Sequence, residues 1–286
     1  MSDALRTEVI CGWVGGACGV LISHPLDCLR VVLQTDASAT LPKAAATLWR
    51  AEGWSGFFKG IFSPAMSVGL WKAVLFASSN AARGRLLPVK EGIETPIADA
   101  FFGGVAAGMA GLFVQMPIER IKVVAQTSAS DPRSSVLTHE WSVAKNIWRR
   151  EGLRGLYRGT LINATLCPSA IGIWFGLNEG LQHQRRVQTG RSKIGLLDEF
   201  ACGATAGTLA WMFNYPSDKA KAIVQSAATH KPWASDFELL APALRREGLS
   251  FIWRGISATL LRAIPQTGTT IVAFSLCRRW MGTSTG

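Results

Sequence analysis

The chain has 286 residues, of which 48% are hydrophobic and only 17% charged, with a net charge of +11. A soluble domain of this size carries about 25% charged residues, so the deficit points to a membrane as solvent. Two tyrosines and the lack of a dense basic run argue against nucleic acid; basic loops beside apolar spans, drawn to anionic lipid, account for the excess of Lys and Arg.

The first apolar run covers residues 9–26. It begins too early for a charged n-region and a small-residue cleavage site to precede it, so no cleavable presequence is expected and any address is internal. It leads into the decamer PLDCLRVVLQ, where Pro25, Asp27 and Arg30 break the apolar pattern. A second run, 61–82, is interrupted only by Lys72; the third, fourth and fifth cover 100–118, 160–178 and 200–217; the sixth, 256–277, is interrupted only by Arg262. Each comes close to the roughly 20 residues with which a helix crosses a bilayer core. Glycines four apart, at Gly15/Gly19, Gly104/Gly108 and Gly203/Gly207, allow close helix approach. The six cysteines (Cys11, Cys18, Cys28, Cys167, Cys202, Cys277) show no CxxC spacing. They are expected to be small apolar packing residues, with neither a metal site nor a disulfide framework.

The opening decamer has two echoes. PLDCLRVVLQ at Pro25 returns as PIERIKVVAQ at Pro117 and PSDKAKAIVQ at Pro216, at intervals of 92 and 99 residues. Each copy holds proline, an acid two residues on, a base five on and glutamine nine on. A second element follows every copy: EGWSGFFKG at Glu52, EGLRGLYRG at Glu151 and EGLSFIWRG at Glu247. Stop-transfer flanks would explain the charge but not the threefold identity of spacing. The expectation is an all-α membrane protein of three repeats, residues 1–95, 96–192 and 193–286, each with two transmembrane helices and a connecting amphipathic segment.

These two motifs, in this order and three times over, resemble the defining pattern of the mitochondrial carrier family, over roughly residues 9–280. The resemblance implies six transmembrane helices with threefold pseudosymmetry, short amphipathic helices on the matrix side, both termini in the intermembrane space and transport by alternating access. It places the chain in the inner mitochondrial membrane as a multi-pass protein acting as a monomer, without cofactor. Pro25, Pro117 and Pro216 are then kinks of the odd-numbered helices, where the missing N–H and the ring clash act. Acid and base three apart share a helix face. Around the ring Asp27 faces Lys122, Glu119 faces Lys221, and Asp218 faces Arg30, forming a matrix gate that neutralises charge at membrane depth. Gln34, Gln126 and Gln225 occupy positions from which the family braces this gate.

By the same resemblance Gly53, Gly152 and Gly248, with Gly60, Gly159 and Gly255, bind cardiolipin headgroups; free N–H groups at a helix start supply the physical basis. Plain turn glycines remain the alternative, and the spacing is not that of a nucleotide loop. Family members often carry an acid and a base three apart near the outer ends of the even helices. The corresponding pairs here are Asn80/Arg83, Glu179/Gln182 and Ser275/Arg278, so Arg83, Glu179 and Arg278 form at most one or two links of a weak cytoplasmic gate.

Lys72 and Arg262 are formal charges within even-helix cores, where lipid exposure costs about 2.5–3.5 kcal/mol. Arg262 lies seven residues after Gly255, at a substrate-contact position of the family; Ser67 and Leu166, with Val68 and Cys167, are its counterparts. Lys72 lies twelve after Gly60, with snorkelling or an interhelical hydrogen bond as its alternative. GIFSPAMS and ISATLLRAIPQTG look like the branch carrying amino acids, carnitine and acylcarnitines. That branch usually has an Arg with an Asp or Glu at the middle contact, where Leu166–Cys167 stands here. The expected function is exchange of a small carboxylate-bearing metabolite. Alternatives are an anionic metabolite or nucleotide-like cofactor and, in another class, a proton leak or a non-transporting scaffold. Four scattered histidines (His24, His139, His183, His230) offer no nucleophile–base constellation, so no enzyme is expected.

Overall fold

The computed structural model describes residues 3–35, 43, 46, 49–50, 53, 57, 62–83, 96–127, 136–190, 194–226, 235–248, 253 and 256–281. Among the described residues the regular structure is helical: α1 Asp3–Thr35, α2 Phe62–Ala82, α3 Pro96–Thr127, α4 Val136–Leu156, α5 Thr160–Thr189, α6 Leu196–Ser226, α7 Asp236–Glu247 and α8 Ile256–Trp280. Six of these close a ring: α1 packs on α2, α2 on α3, α3 on α5, α5 on α6, α6 on α8, and α8 returns to α1. Helices α4 and α7 lie outside the ring, against α3 and α6.

Among the described residues, three stretches are long and apolar enough to cross a membrane, Leu5–Leu26, Ile97–Val124 and Thr160–Thr189. For α2, α6 and α8 length and composition do not by themselves show the expected span. Their windows are diluted by hydroxyl and amide side chains, and many of these are buried: Ser79, Asn214, Ser217, Thr259, Thr267 and Thr270. The Thr267 and Thr270 hydroxyls donate one turn back to the carbonyls of Ala263 and Gln266 at 2.7 and 2.8 Å, which satisfies them without water.

Glycines set how closely the ring closes. A Cβ on Gly104 would stand 2.8 Å from the Ile171 carbonyl oxygen, and one on Gly108 2.6 Å from Pro168 Cα. On Gly207 it would meet the Thr267 side chain at 2.4 Å. In these two repeats the pair joins the odd helix to its own even helix. In α1 the residues in the same register are Gly12 and Gly16, thirteen and nine before Pro25. They face α2, where added Cβ atoms would meet Ala73 Cα at 2.8 Å and Val68 O at 3.0 Å. Gly15 and Gly19, the pair singled out in the sequence, face α8 at Thr270 and Gln266 instead. Thus α1 has two glycine faces, one for each neighbour.

Each odd helix runs on through its proline, which stands ten residues before the helix ends in α1, α3 and α6. The ring's interior is filled by Leu75, Phe76, Ala107, Leu112, Met116, Ile171, Trp174, Phe175 and Ile271, with Phe274 packed against them.

Candidate functional site

At the proline end, two of the motif residues expected to pair are in contact. Lys221 Nζ lies 2.7 Å from Glu119 Oε2 on α3 and 2.8 Å from Asp218 Oδ1 on its own helix. Lys221 is buried, while both carboxylates remain about one-third exposed. Gln115, one turn before Glu119, donates to its other oxygen at 2.7 Å. Lys122 is half-buried on α3. The side chains of Asp27, Arg30, Gln34 and Gln126 lie outside the described residues. Gln225 differs from the bracing role expected of it: its amide donates to the Arg158 carbonyl at 3.3 Å and holds the turn into α5, not the Glu119–Lys221 pair.

The second motif folds back on itself. Glu151 lies 3.3 Å from Arg158, the motif's own base, and 3.5 Å from Arg120 on α3. Arg120 also donates to the Gly155 carbonyl. Acid and base of one short motif therefore pin α4 to the ring. The three Glu-Gly glycines share a positive φ: 61° at Gly53, 63° at Gly152 and 70° at Gly248. At Gly152 ψ is −154°, a region open essentially to glycine alone, and it splits α4 in two. Nothing lies within 4 Å of a Cβ added there, so the backbone and not crowding demands glycine. Gly152→Ala is therefore expected to cost about 1–3 kcal/mol in a thermal or denaturant unfolding assay, despite the open space. Gly159 (φ 85°) donates its N–H to the Asp236 carboxylate at the start of α7, at 3.1 Å. An internal anion thus occupies a donor that was expected to serve a lipid phosphate. Gly60 and Gly255 lie outside the described residues.

Between the two ends, Lys72 and Arg262 rest on indole faces. Lys72 is 7% exposed, with Nζ 3.7 Å from the Trp174 ring centroid and 4.9 Å from that of Trp71. Its stem lies against Gly16 of α1, so it crosses the bundle and does not snorkel. Arg262 lies 5.3 Å from the Trp211 ring of α6 and donates to Gln266 at 2.7 Å. A desolvated cation over an indole gains about 2 kcal/mol, which helps hold positive charge at this depth. Cys167 is buried, with Lys221, Glu119, Asp218 and Lys72 as charged neighbours. Ser67, Val68 and Leu166 are half-buried on α2 and α5.

Beyond these cations stands an aromatic layer that the repeat search passed over. Phe76 stacks on Phe274 with centroids 4.0 Å apart and meets Phe175 at 5.4 Å and Trp174 at 5.9 Å. The layer joins α2, α5 and α8. Phe76 and Phe175 both fall sixteen residues after the glycine of their repeat, a spacing that marks them in retrospect.

The far end carries more ion pairs than the motif acids allowed. Arg83 meets Glu179 at 3.5 Å, the one expected link between even helices, and Arg186 meets the same carboxylate at 3.8 Å. Arg278 pairs with Glu8 of α1 at 3.2 Å, Arg279 with Glu199 of α6, and Arg185 with Asp198 at 2.5 Å. Between the even-helix positions compared in the sequence, one link forms, Arg83–Glu179, within the one or two expected. The further pairs draw their acids from the odd helices: Glu8 near the start of α1, and Asp198 and Glu199 in the first turn of α6.

The family model described as mitochondrial carrier protein matches residues 3–89, 94–186 and 192–285. The chain is 32% identical to the mitochondrial magnesium exporter 1 of Drosophila melanogaster, over 90% of its length and 89% of the relative's. It is 28% identical to the mitochondrial arginine transporter BAC2 of Arabidopsis thaliana, with 98% and 93% covered. The human mitochondrial carnitine/acylcarnitine carrier protein is 27% identical, with 97% and 95% covered. Three matches in tandem over almost the whole chain, on a ring of helices that brings Glu119 against Lys221, make it a member of the mitochondrial carrier family, whose members are transporters and not enzymes.

Proposed function

We propose that the chain is a multi-pass exchanger of the inner mitochondrial membrane, carrying a small carboxylate-bearing metabolite through the centre of the six-helix ring by alternating access. One observation carries the substrate class: Lys72 and Arg262 stand on the even helices, each held on a tryptophan face, between the Glu119–Lys221 pair and the aromatic layer. The counterparts of Arg262, Ser67 and Leu166, together with Val68 and Cys167, add no carboxylate. Two cations, with no carboxylate at the counterpart positions, suit an anionic group, as in an amino acid or an acylcarnitine, better than a bare metal cation. All six ring helices then span the bilayer, with the buried hydroxyls of α2, α6 and α8 turned to neighbours. The matrix gate comprises the motif acids and bases of the proline end, and the aromatic layer with the outer ion pairs forms the cytoplasmic one. Cardiolipin at the motif glycines other than Gly159, whose N–H is taken by Asp236, and action as a monomer belong to the same reading.

Thermal unfolding of the purified protein against a library of amino acids, carnitine esters, carboxylates, nucleotides and magnesium tests it. A substrate at 100 times its dissociation constant stabilises by about 2.7 kcal/mol. A shift with carboxylate-bearing compounds, followed by their exchange in liposomes, is the expected result. A shift with magnesium alone, or dissipation of membrane potential without solute exchange, overturns it.

A further inference from the structure

We propose that Cys11, Cys277 and Met281 form a site for one soft monovalent metal ion, Cu(I) by its ligand chemistry, tying α1 to the end of α8. The site is independent of the substrate assignment.

Cys277 and Met281 are four residues apart on one helical turn, joined by the Met281 N–H to Cys277 carbonyl bond at 3.0 Å. That spacing puts both sulfurs on one face. The Cys11 thiol of α1 enters from the neighbouring helix, 3.8 Å from Met281 Sδ, with the Cys277 thiol as a near neighbour. Two sulfurs, each about 2.3 Å from one ion and about 110° apart around it, stand about 3.8 Å from each other. Two thiols and a thioether are soft donors, the set that selects Cu(I) over the harder divalent ions. Cys11 is fully buried, so water does not compete at the inner ligand, while Cys277 and Met281 are partly exposed and offer an entry path. All three partners are available, both cysteines being free thiols.

Binding expels the two thiol protons, and two thiolates around one monocation leave a single negative charge. Glu8 and Arg278, paired at 3.2 Å, are both charged neighbours of Cys11, the carboxylate opposing that charge and the guanidinium offsetting it. The site escapes a sequence search because its ligands come from the two ends of the chain, and because methionine is not counted among usual metal ligands.

The test uses the full-length reduced protein in detergent under anaerobic conditions, titrated with Cu(I) against a Cu(I) chelator and with Ag(I) as a redox-inert probe. One tightly bound equivalent is expected, with an all-sulfur shell by X-ray absorption. Cys11→Ala or Cys277→Ala is expected to weaken it by more than about 100-fold, beyond the 10- to 100-fold that outer-shell partners command. Met281→Leu is expected to weaken it about 10- to 100-fold, and Cys18→Ala to leave it unchanged. Undiminished binding in Cys277→Ala and Met281→Leu overturns the proposal, and these two positions carry the test if Cys11→Ala does not fold. Loss of two free thiols without bound metal also overturns it, since the pair is then a disulfide.

Discussion

Alanine at Arg262 is expected to abolish solute exchange in liposomes while leaving the protein folded. The guanidinium is held in place by Gln266 at 2.7 Å and by the Trp211 face at 5.3 Å, on the even helix that closes the ring between α6 and α1. A charge-assisted hydrogen bond to a substrate carboxylate is worth about 1.5–3 kcal/mol, so its loss lowers affinity by roughly 10- to 150-fold. The side chain's positive charge goes too, and Lys72, buried against two indoles, is placed too deeply to replace it. Arg262→Lys keeps the charge but not the fork of donors, and a partial rate is expected from it. Uptake of the substrate found in the thermal screen, normalised to reconstituted protein, is the measurement. Wild-type uptake by Arg262→Ala would sink the site assignment without touching the family assignment.

Lys221→Met is expected to lower the unfolding free energy by about 3 kcal/mol. Lys221 is buried and holds two carboxylates, Glu119 at 2.7 Å and Asp218 at 2.8 Å. Removing one partner of a buried pair costs about 3–5 kcal/mol, and the lower end applies because both acids are about one-third exposed and water can solvate them. Glu119→Gln is expected to cost less, since Lys221 keeps Asp218. The double variant separates the cross-helix contact from the local one, with a coupling of about 0.5–3 kcal/mol for side chains in direct contact. Thermal unfolding of the four proteins measures it. A coupling indistinguishable from zero would mean that the α3–α6 contact does not hold this end closed. The same variants bear on transport, since weakening a contact made in only one state shifts the population toward the other.

Much of this was legible in the chain alone. The spacing of Pro, acid, base and Gln repeats three times, and the structure brings Glu119 and Lys221 within hydrogen-bond reach across two helices. The Glu-Gly element was legible as a motif, and its meaning became clear in the shared positive φ of Gly53, Gly152 and Gly248. The glycine pairs at Gly15/Gly19, Gly104/Gly108 and Gly203/Gly207 all sit at close helix contacts, as their spacing suggests. Which neighbour each pair meets was not legible, because α1 carries glycines for both neighbours and a four-residue spacing does not say which face is which.

What stayed hidden depends on distance through space. Glu8 and Arg278 are 270 residues apart and meet because α8 closes the ring onto α1. Phe76, Trp174, Phe175 and Phe274 read as ordinary apolar residues in three separate spans until the even helices converge. Lys72 could have snorkelled or faced the interior, and only its stem on Gly16 and its ammonium over Trp174 decide for the interior.

By itself, then, the sequence determined the repeat, the family and the positions of the motif prolines, acids and bases, since a local pattern fixes where these fall along each helix. The tertiary structure decided the partners: which acid meets which base, which glycine face meets which neighbour, and where the two cations rest. Pairing energy falls off over a few ångströms, and closeness on that scale is set by how six helices close into a ring.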